Sequence, residues 1–119
     1  PARCLTVHHV VIADDHPLLR RGIVEVLRGR WPQARYHEAD DAAGLFQALE
    51  IGTPDLVILD LSLPDRHGLD CLAALRRLHP QLPVLVLSMH DEQSWGMRVL
   101  DRGAMGYLTK ERAPTELVS

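Results

Sequence analysis

The stretch Val57-Ile58-Leu59-Asp60-Leu61-Ser62-Leu63-Pro64-Asp65 constrains this chain more than any other. A short run of uninterrupted apolar residues suits a strand buried on both faces, as in a parallel sheet covered by helices. The run ends in one carboxylate, and Pro64 through Gly68 then break the pattern as a loop. Asp60 is therefore expected at the carboxyl end of a central strand. Ligand crevices in open α/β sheets lie at those ends.

The same pattern recurs along the chain. Val7 to Ala13 reads as a first strand and runs into Asp14-Asp15-His16-Pro17. Pro17 suits the first turn of a helix, where its missing N–H does no harm. That helix extends to about Arg30, with Leu18, Leu19, Ile23, Val26 and Leu27 at helical spacing. Ala34 to Glu38 is a weak strand expected near a sheet edge. Asp40 or Asp41 can cap a second helix whose apolar positions are Ala43, Phe46, Leu49 and Ile51. Leu56 to Asp60 is the third strand. Gly68 to His79 forms a third helix with Leu69, Leu72, Leu75 and Leu78 inward, and Pro80 stops it. Val84 to Leu87 is a fourth buried strand with Ser88 at its end. A weakly amphipathic helix follows from about Gln93 to Asp101. Ala104 to Thr109 is a fifth strand leading into Lys110. A last helix opens at Ala113-Pro114, but only Leu117-Val118-Ser119 follow its start, too little for a packed helix. The native polypeptide is expected to continue.

Strands alternating with helices imply right-handed crossovers and a doubly wound parallel sheet. The flavodoxin-like strand order 2-1-3-4-5 places the first and third strands side by side at the switch point. The chain's 119 residues suffice for one such domain. A formal net charge of −3 argues against a dedicated nucleic-acid surface within it. No apolar run approaches a membrane span, and the opening Pro1-Ala2-Arg3-Cys4 precedes no signal-peptide core. Cys4 and Cys71 are far apart and in no metal spacing, so they read as reduced thiols of a cytoplasmic protein.

Every strand but the edge one delivers a polar group to one rim: Asp14 and Asp15, Asp60, Ser88, and Lys110. Clustered carboxylates repel one another and call for a hard cation. Mg²⁺, with oxygen ligands and retained waters, fits. Lys110 supplies a compact positive charge and Ser88 a hydroxyl donor. Together these meet the needs of phosphoryl transfer: a nucleophile, a metal and neutralisation of the phosphoryl oxygens. Each group alone has an ordinary reading, as helix cap, turn residue or solvated charge; their joint placement carries the argument. The seven histidines show no ligand spacing on one element, although His16 and His90 lie near the acidic rim. Arg20-Arg21 and Arg76-Arg77 read as solvated helix faces.

Taken together, the chain resembles the receiver domain of two-component response regulators over essentially its whole length. The matching residues are Asp14-Asp15, Asp60 with Pro64 and Gly68 downstream, Ser88, and Lys110 within Gly106-Tyr107-Leu108-Thr109-Lys110. Ala13 to Pro17, Leu87 to His90 and Gly106 to Lys110 look most like the NarL/FixJ-type subfamily, whose members usually carry a LuxR-type helix-turn-helix domain after the receiver. The resemblance implies that Asp60 is phosphorylated by a sensor histidine kinase. It implies that Asp15 binds Mg²⁺ directly, Asp14 through water, with the Ser62 backbone carbonyl completing the protein ligands alongside Asp60. Lys110 pairs with the phosphoryl group, Ser88 swings to hydrogen-bond it, and Tyr107 changes rotamer in concert. Ser62 and His90 occupy positions that tune the phosphate's lifetime in the family, and Glu111 stands where many relatives have proline. A phosphorylation-dependent homodimer and contact with DNA through the absent domain follow from the same resemblance.

Two other functions compete. A haloacid-dehalogenase-type phosphatase also uses an aspartyl nucleophile after a buried strand, but it needs a second acid two residues on, where this chain has Ser62. A degenerate receiver would act as a phosphorylation-independent binding module; the intact acidic pair, Asp60 and Lys110 argue against it. The expected protein is a phosphoacceptor with at most slow autodephosphorylation, not a conventional enzyme.

Overall fold

A computed structural model of the chain describes residues 7–88 and 103–109, the last three by their backbone. The elements in order are β1 (His9–Ala13), α1 (Pro17–Arg30), β2 (Arg35–Ala39), α2 (Ala42–Ile51), β3 (Leu56–Asp60), α3 (Gly68–Leu78), β4 (Val84–Ser88) and β5 (Gly106–Thr109). The helices expected at 93–101 and beyond 113 lie outside the described residues. The strands form one sheet in the order β2-β1-β3-β4-β5, and all four pairings are parallel. The expected strand order and the edge position of β2 therefore hold.

The middle strands explain the order. All five residues of β3 and all five of β4 are buried, as continuous apolar runs require. In β2 the burial alternates along Arg35 to Glu38, which suits an edge strand with one face toward solvent.

Helices pack on both faces. On one side Ile23, Val24 and Leu27 of α1 meet Val10, Ile12, Ile58, Leu85 and Leu87. On the other, Leu45, Ala48 and Leu49 of α2 and Leu69, Leu72 and Leu75 of α3 meet Val11, Val57, Leu59, Val84 and Val86. Adjacent residues of each strand thus feed opposite cores, as the two-residue period of a strand demands. Each fully buried leucine or isoleucine contributes about 1.5–3 kcal/mol of transfer free energy.

Several helix positions differ from expectation. Leu18, Ile51 and Leu78 are exposed, at 91%, 82% and 56%. Leu18 stands in the first turn of α1, and Ile51 and Leu78 are the last residues of α2 and α3. In α2 the inward stripe is Ala42, Leu45, Ala48 and Leu49, so Ala43 is exposed and Phe46 only half-buried. In α1, Val24 is buried and Val26 half-buried. Arg21 and Arg77 are exposed as expected, whereas Arg20 and Arg76 are only partly exposed and hydrogen-bonded. Arg20 bonds to Glu38 and to the Asp14 carbonyl, while Arg76 donates to the carbonyls of Pro80, His79 and Leu82 around the α3–β4 turn.

Among the described residues, no helix is long and apolar enough to cross a membrane. Cys71 is buried with a free thiol, and burial is the main force pushing its acidity down, so its pKa lies above the ordinary value.

Candidate functional site

The acidic rim forms where β1 and β3 end together. Ala13 pairs with Leu59, so Asp14 and Asp60 are the next residues along two neighbouring strands. The Asp14 N–H continues the ladder on the other side by donating to the Ala39 carbonyl at 2.9 Å. Both side chains are fully buried. Burying two carboxylates side by side is costly unless each is hydrogen-bonded or paired.

Local turns account for part of their satisfaction. The Ser62 N–H donates to Asp60 Oδ1 at 3.0 Å, and the His16 N–H donates to Asp14 Oδ1 at 2.8 Å. These are side chain to backbone turns of the kind aspartate favours. The N-cap of α1 is His16, whose side chain makes no capping bond. The acidic pair therefore does not serve as the side-chain cap of that helix.

One oxygen or nitrogen from each of Asp14, Asp15, His16 and Asp60 lies within 4.8 Å of all the others. His16 Nδ1 is 3.3 Å from Asp14 Oδ1 and 3.1 Å from Asp15 Oδ1. Asp15 is partly exposed, yet its Oδ1 is buried and has no hydrogen bond among the described residues. Convergent carboxylate oxygens with one such atom fit a hard divalent cation that keeps part of its water shell. His16 joins this cluster although spacing along the sequence gave it no ligand pattern; its only signal was adjacency to the acidic pair.

The loop after Asp60 is tightly held. The Gly68 N–H donates to the Leu61 carbonyl at 3.1 Å. A Cβ on Gly68 would stand 2.3 Å from Leu61 Cα, so only glycine permits the approach. Farther along the loop, Asp65 receives the Ala42 N–H on Oδ1 at 2.8 Å and the Ala43 N–H on Oδ2 at 3.0 Å. Those backbone donors, the Ala42 N–H foremost, hold the Asp65 carboxyl below its ordinary pKa. The cap of α2 expected from Asp40 or Asp41 is Asp41, which receives the Gly44 N–H at 2.7 Å.

Ser88 is fully buried at the end of β4. Its strand neighbour Leu87 pairs with Asp60, which puts Ser88 one residue beyond the acidic strand end. Ser88 pairs across β5 with Thr109, the residue before Lys110. Lys110 itself, the Tyr107 side chain, His90 and Glu111 lie outside the described residues.

The sequence of residues 10–119 matches the response regulator receiver domain family. The chain belongs to that family. Receiver domains with clear likeness include that of the NarL transcriptional regulatory protein of Mycobacterium tuberculosis, 37% identical over 109 residues and covering 92% of this chain and 50% of the relative. The nitrate/nitrite response regulator NarP of Escherichia coli is 35% identical over 113 residues, with 95% of this chain and 53% of that protein covered. Among solved structures, the M. tuberculosis NarL signal receiver domain superposes with a TM-score of 0.81 at 35% identity, covering 96% of this chain and 92% of that one. The RcsB response regulator of Salmonella typhimurium gives 0.84 at 30% identity, over 95% and 57%. This receiver domain spans about half the length of the curated relatives it matches. The NarL relative is named as a transcriptional regulatory protein and NarP as a response regulator.

Proposed function

We propose that this receiver domain accepts a phosphoryl group on Asp60 from the phosphohistidine of a sensor kinase, with Mg²⁺, and thereby switches an attached transcription-regulatory domain. The observation that carries the reading is the convergence of buried Asp60 and Asp14 with Asp15 at adjoining strand ends. An Asp60 oxygen forms the new O–P bond as the N–P bond to the donor histidine breaks, and the bonding electron pair returns to the imidazole nitrogen. Asp15 and Asp60 would hold Mg²⁺ directly with the Ser62 backbone carbonyl, and Asp14 through water. When bound, the ion supplies charge neutralisation for the phosphoryl oxygens.

The remaining residues act on the product. A phosphoryl group adds roughly −1.5 to −2 charge at neutral pH. Lys110 is the cation assigned to it and Ser88 the hydroxyl that donates to it, with Tyr107 following as the rotamer switch. The position of Ser88 beside the Asp60 strand end supports its part. The change of charge biases the β4–β5 side of the sheet between two arrangements.

Residues 1–119 form the receiver, and a helix-turn-helix effector domain follows in the native chain. DNA is contacted through that domain, in the cytoplasm, by a dimer that phosphorylation favours. The name of the NarL relative, a transcriptional regulatory protein, supports this part of the reading. Phosphoacceptance distinguishes it from a binding module that works without phosphate. Ser62, in place of a general acid, distinguishes it from a phosphatase.

Incubation with acetyl phosphate and MgCl₂, followed by intact mass measurement, tests the proposal. One added phosphoryl group is expected in the wild type and none in Asp60→Asn. Sustained turnover of unrelated phosphomonoesters would instead identify a phosphatase.

A further inference from the structure

We infer that Asp65 is a positioning residue, which fixes the β3–α3 loop, and with it the Ser62 carbonyl, by fastening that loop to the amino end of α2. The inference rests on the Mg²⁺ reading above and adds a residue to it.

The first N–H groups of an α-helix have no partner within the helix. In α2 the Gly44 N–H is met by Asp41, the residue that precedes the helix. The Ala42 and Ala43 N–H groups go instead to the two oxygens of Asp65, a residue more than twenty positions away on the loop that leaves Asp60. The helix already has its own cap, so a second carboxylate brought from another element does more than complete a helix end. Its two bonds fix both the position and the orientation of residue 65. Bonds between a carboxylate and helix N-terminal N–H groups are charge-assisted and are favoured by the helix dipole.

The loop is then held at both ends and in the middle. At its start, Ser62 N–H meets Asp60 Oδ1. At its end, the Gly68 N–H meets the Leu61 carbonyl. Asp65 ties the intervening span to α2, whose buried face packs against the sheet. Leu61 and Leu63 are buried while Ser62 is exposed, so the Ser62 peptide has no packed side chain of its own to locate it. Ion affinity depends strongly on groups that orient ligands without touching the ion.

The test compares Asp65→Ala, Asp65→Asn and Asp41→Ala. Each alanine variant removes one carboxylate from the same helix end, but only Asp65 reaches it from the loop. Mg²⁺ affinity is read by calorimetric titration with MgCl₂, and loop order by NMR amide exchange at Ser62 without metal. In Asp65→Ala, Mg²⁺ affinity falls about tenfold or more and Ser62 exchange speeds up. Asp65→Asn, which keeps one acceptor oxygen, lies between. Asp41→Ala leaves both readouts as in the wild type. Unchanged Ser62 exchange in Asp65→Ala, or an equal effect of Asp41→Ala, overturns the inference. A wild-type protein that takes no Mg²⁺ defeats the metal reading alone, and the exchange comparison then decides for Asp65.

Discussion

The Arg20 guanidinium grips the backbone of Asp14, donating through Nη1 to the Asp14 carbonyl at 2.5 Å. Its Nε donates to Glu38 Oε1 at 2.8 Å, so one side chain of α1 joins the acidic loop to β2. Arg20 is 15% exposed and Glu38 23%, which shields the pair from much of the screening that weakens surface ion pairs. Arg20→Ala is expected to destabilise the fold by about 1.5–3 kcal/mol, the range for hydrogen bonds to charged groups. Urea unfolding measures it. Arg21→Ala, where the wild-type side chain is 65% exposed, serves as the comparison and should cost far less.

Gly68 lets the loop after Asp60 close on itself, because a methyl group there would overlap the Leu61 backbone. Gly68→Ala is therefore expected to cost about 1–3 kcal/mol in unfolding free energy, as overpacking does. The backbone at Leu61 must move to admit the methyl group, so phosphorylation by acetyl phosphate should also slow. An alanine variant with wild-type stability would show that the loop yields without strain.

Asp65 gives a pH dependence of known sign. Its carboxyl is held below the ordinary value of 3.8, first by the Ala42 N–H. A depressed carboxylate pKa stabilises the fold at pH above the unfolded value, and that contribution is lost as pH falls through the folded one. Denaturant unfolding of wild type and Asp65→Asn should show the wild type ahead near neutrality. The gap should close on acidification below the ordinary carboxylate range. A gap that stays constant into strong acid would contradict the assignment.

The fold was readable because its signals are local. Unbroken apolar runs identify β3 and β4 as central, and alternating strands and helices restrict the topology to a few orders. The acidic rim was readable for the same reason, since Asp14-Asp15 directly follows β1 and Asp60 ends β3. The α2 stripe was not. Phe46 and Ile51 outweigh alanines in any reading by hydrophobicity, whereas close approach to the sheet selected Ala42 and Ala48. Arg20 and Asp65 were hidden because their partners, the Glu38 carboxylate and backbone groups, lie on other parts of the chain. Such bonds leave no period and no motif in the sequence.

Cys71 is fully buried, and burial holds its thiol protonated above the ordinary range. Thiolate is the reactive form. In a Cys4→Ser background, modification by a thiol reagent near neutral pH should be slow in buffer and should rise with unfolding in denaturant. Rapid labelling of the folded protein would contradict this.

Asp60 is the residue proposed to carry the phosphoryl group. Borohydride reduces an aspartyl phosphate to homoserine, which marks the acceptor permanently for peptide mass mapping. After treatment with acetyl phosphate and MgCl₂, homoserine is expected at position 60, with none formed when Mg²⁺ is removed. Homoserine at position 14 or 15, or a phosphoryl group retained in Asp60→Asn, would contradict it.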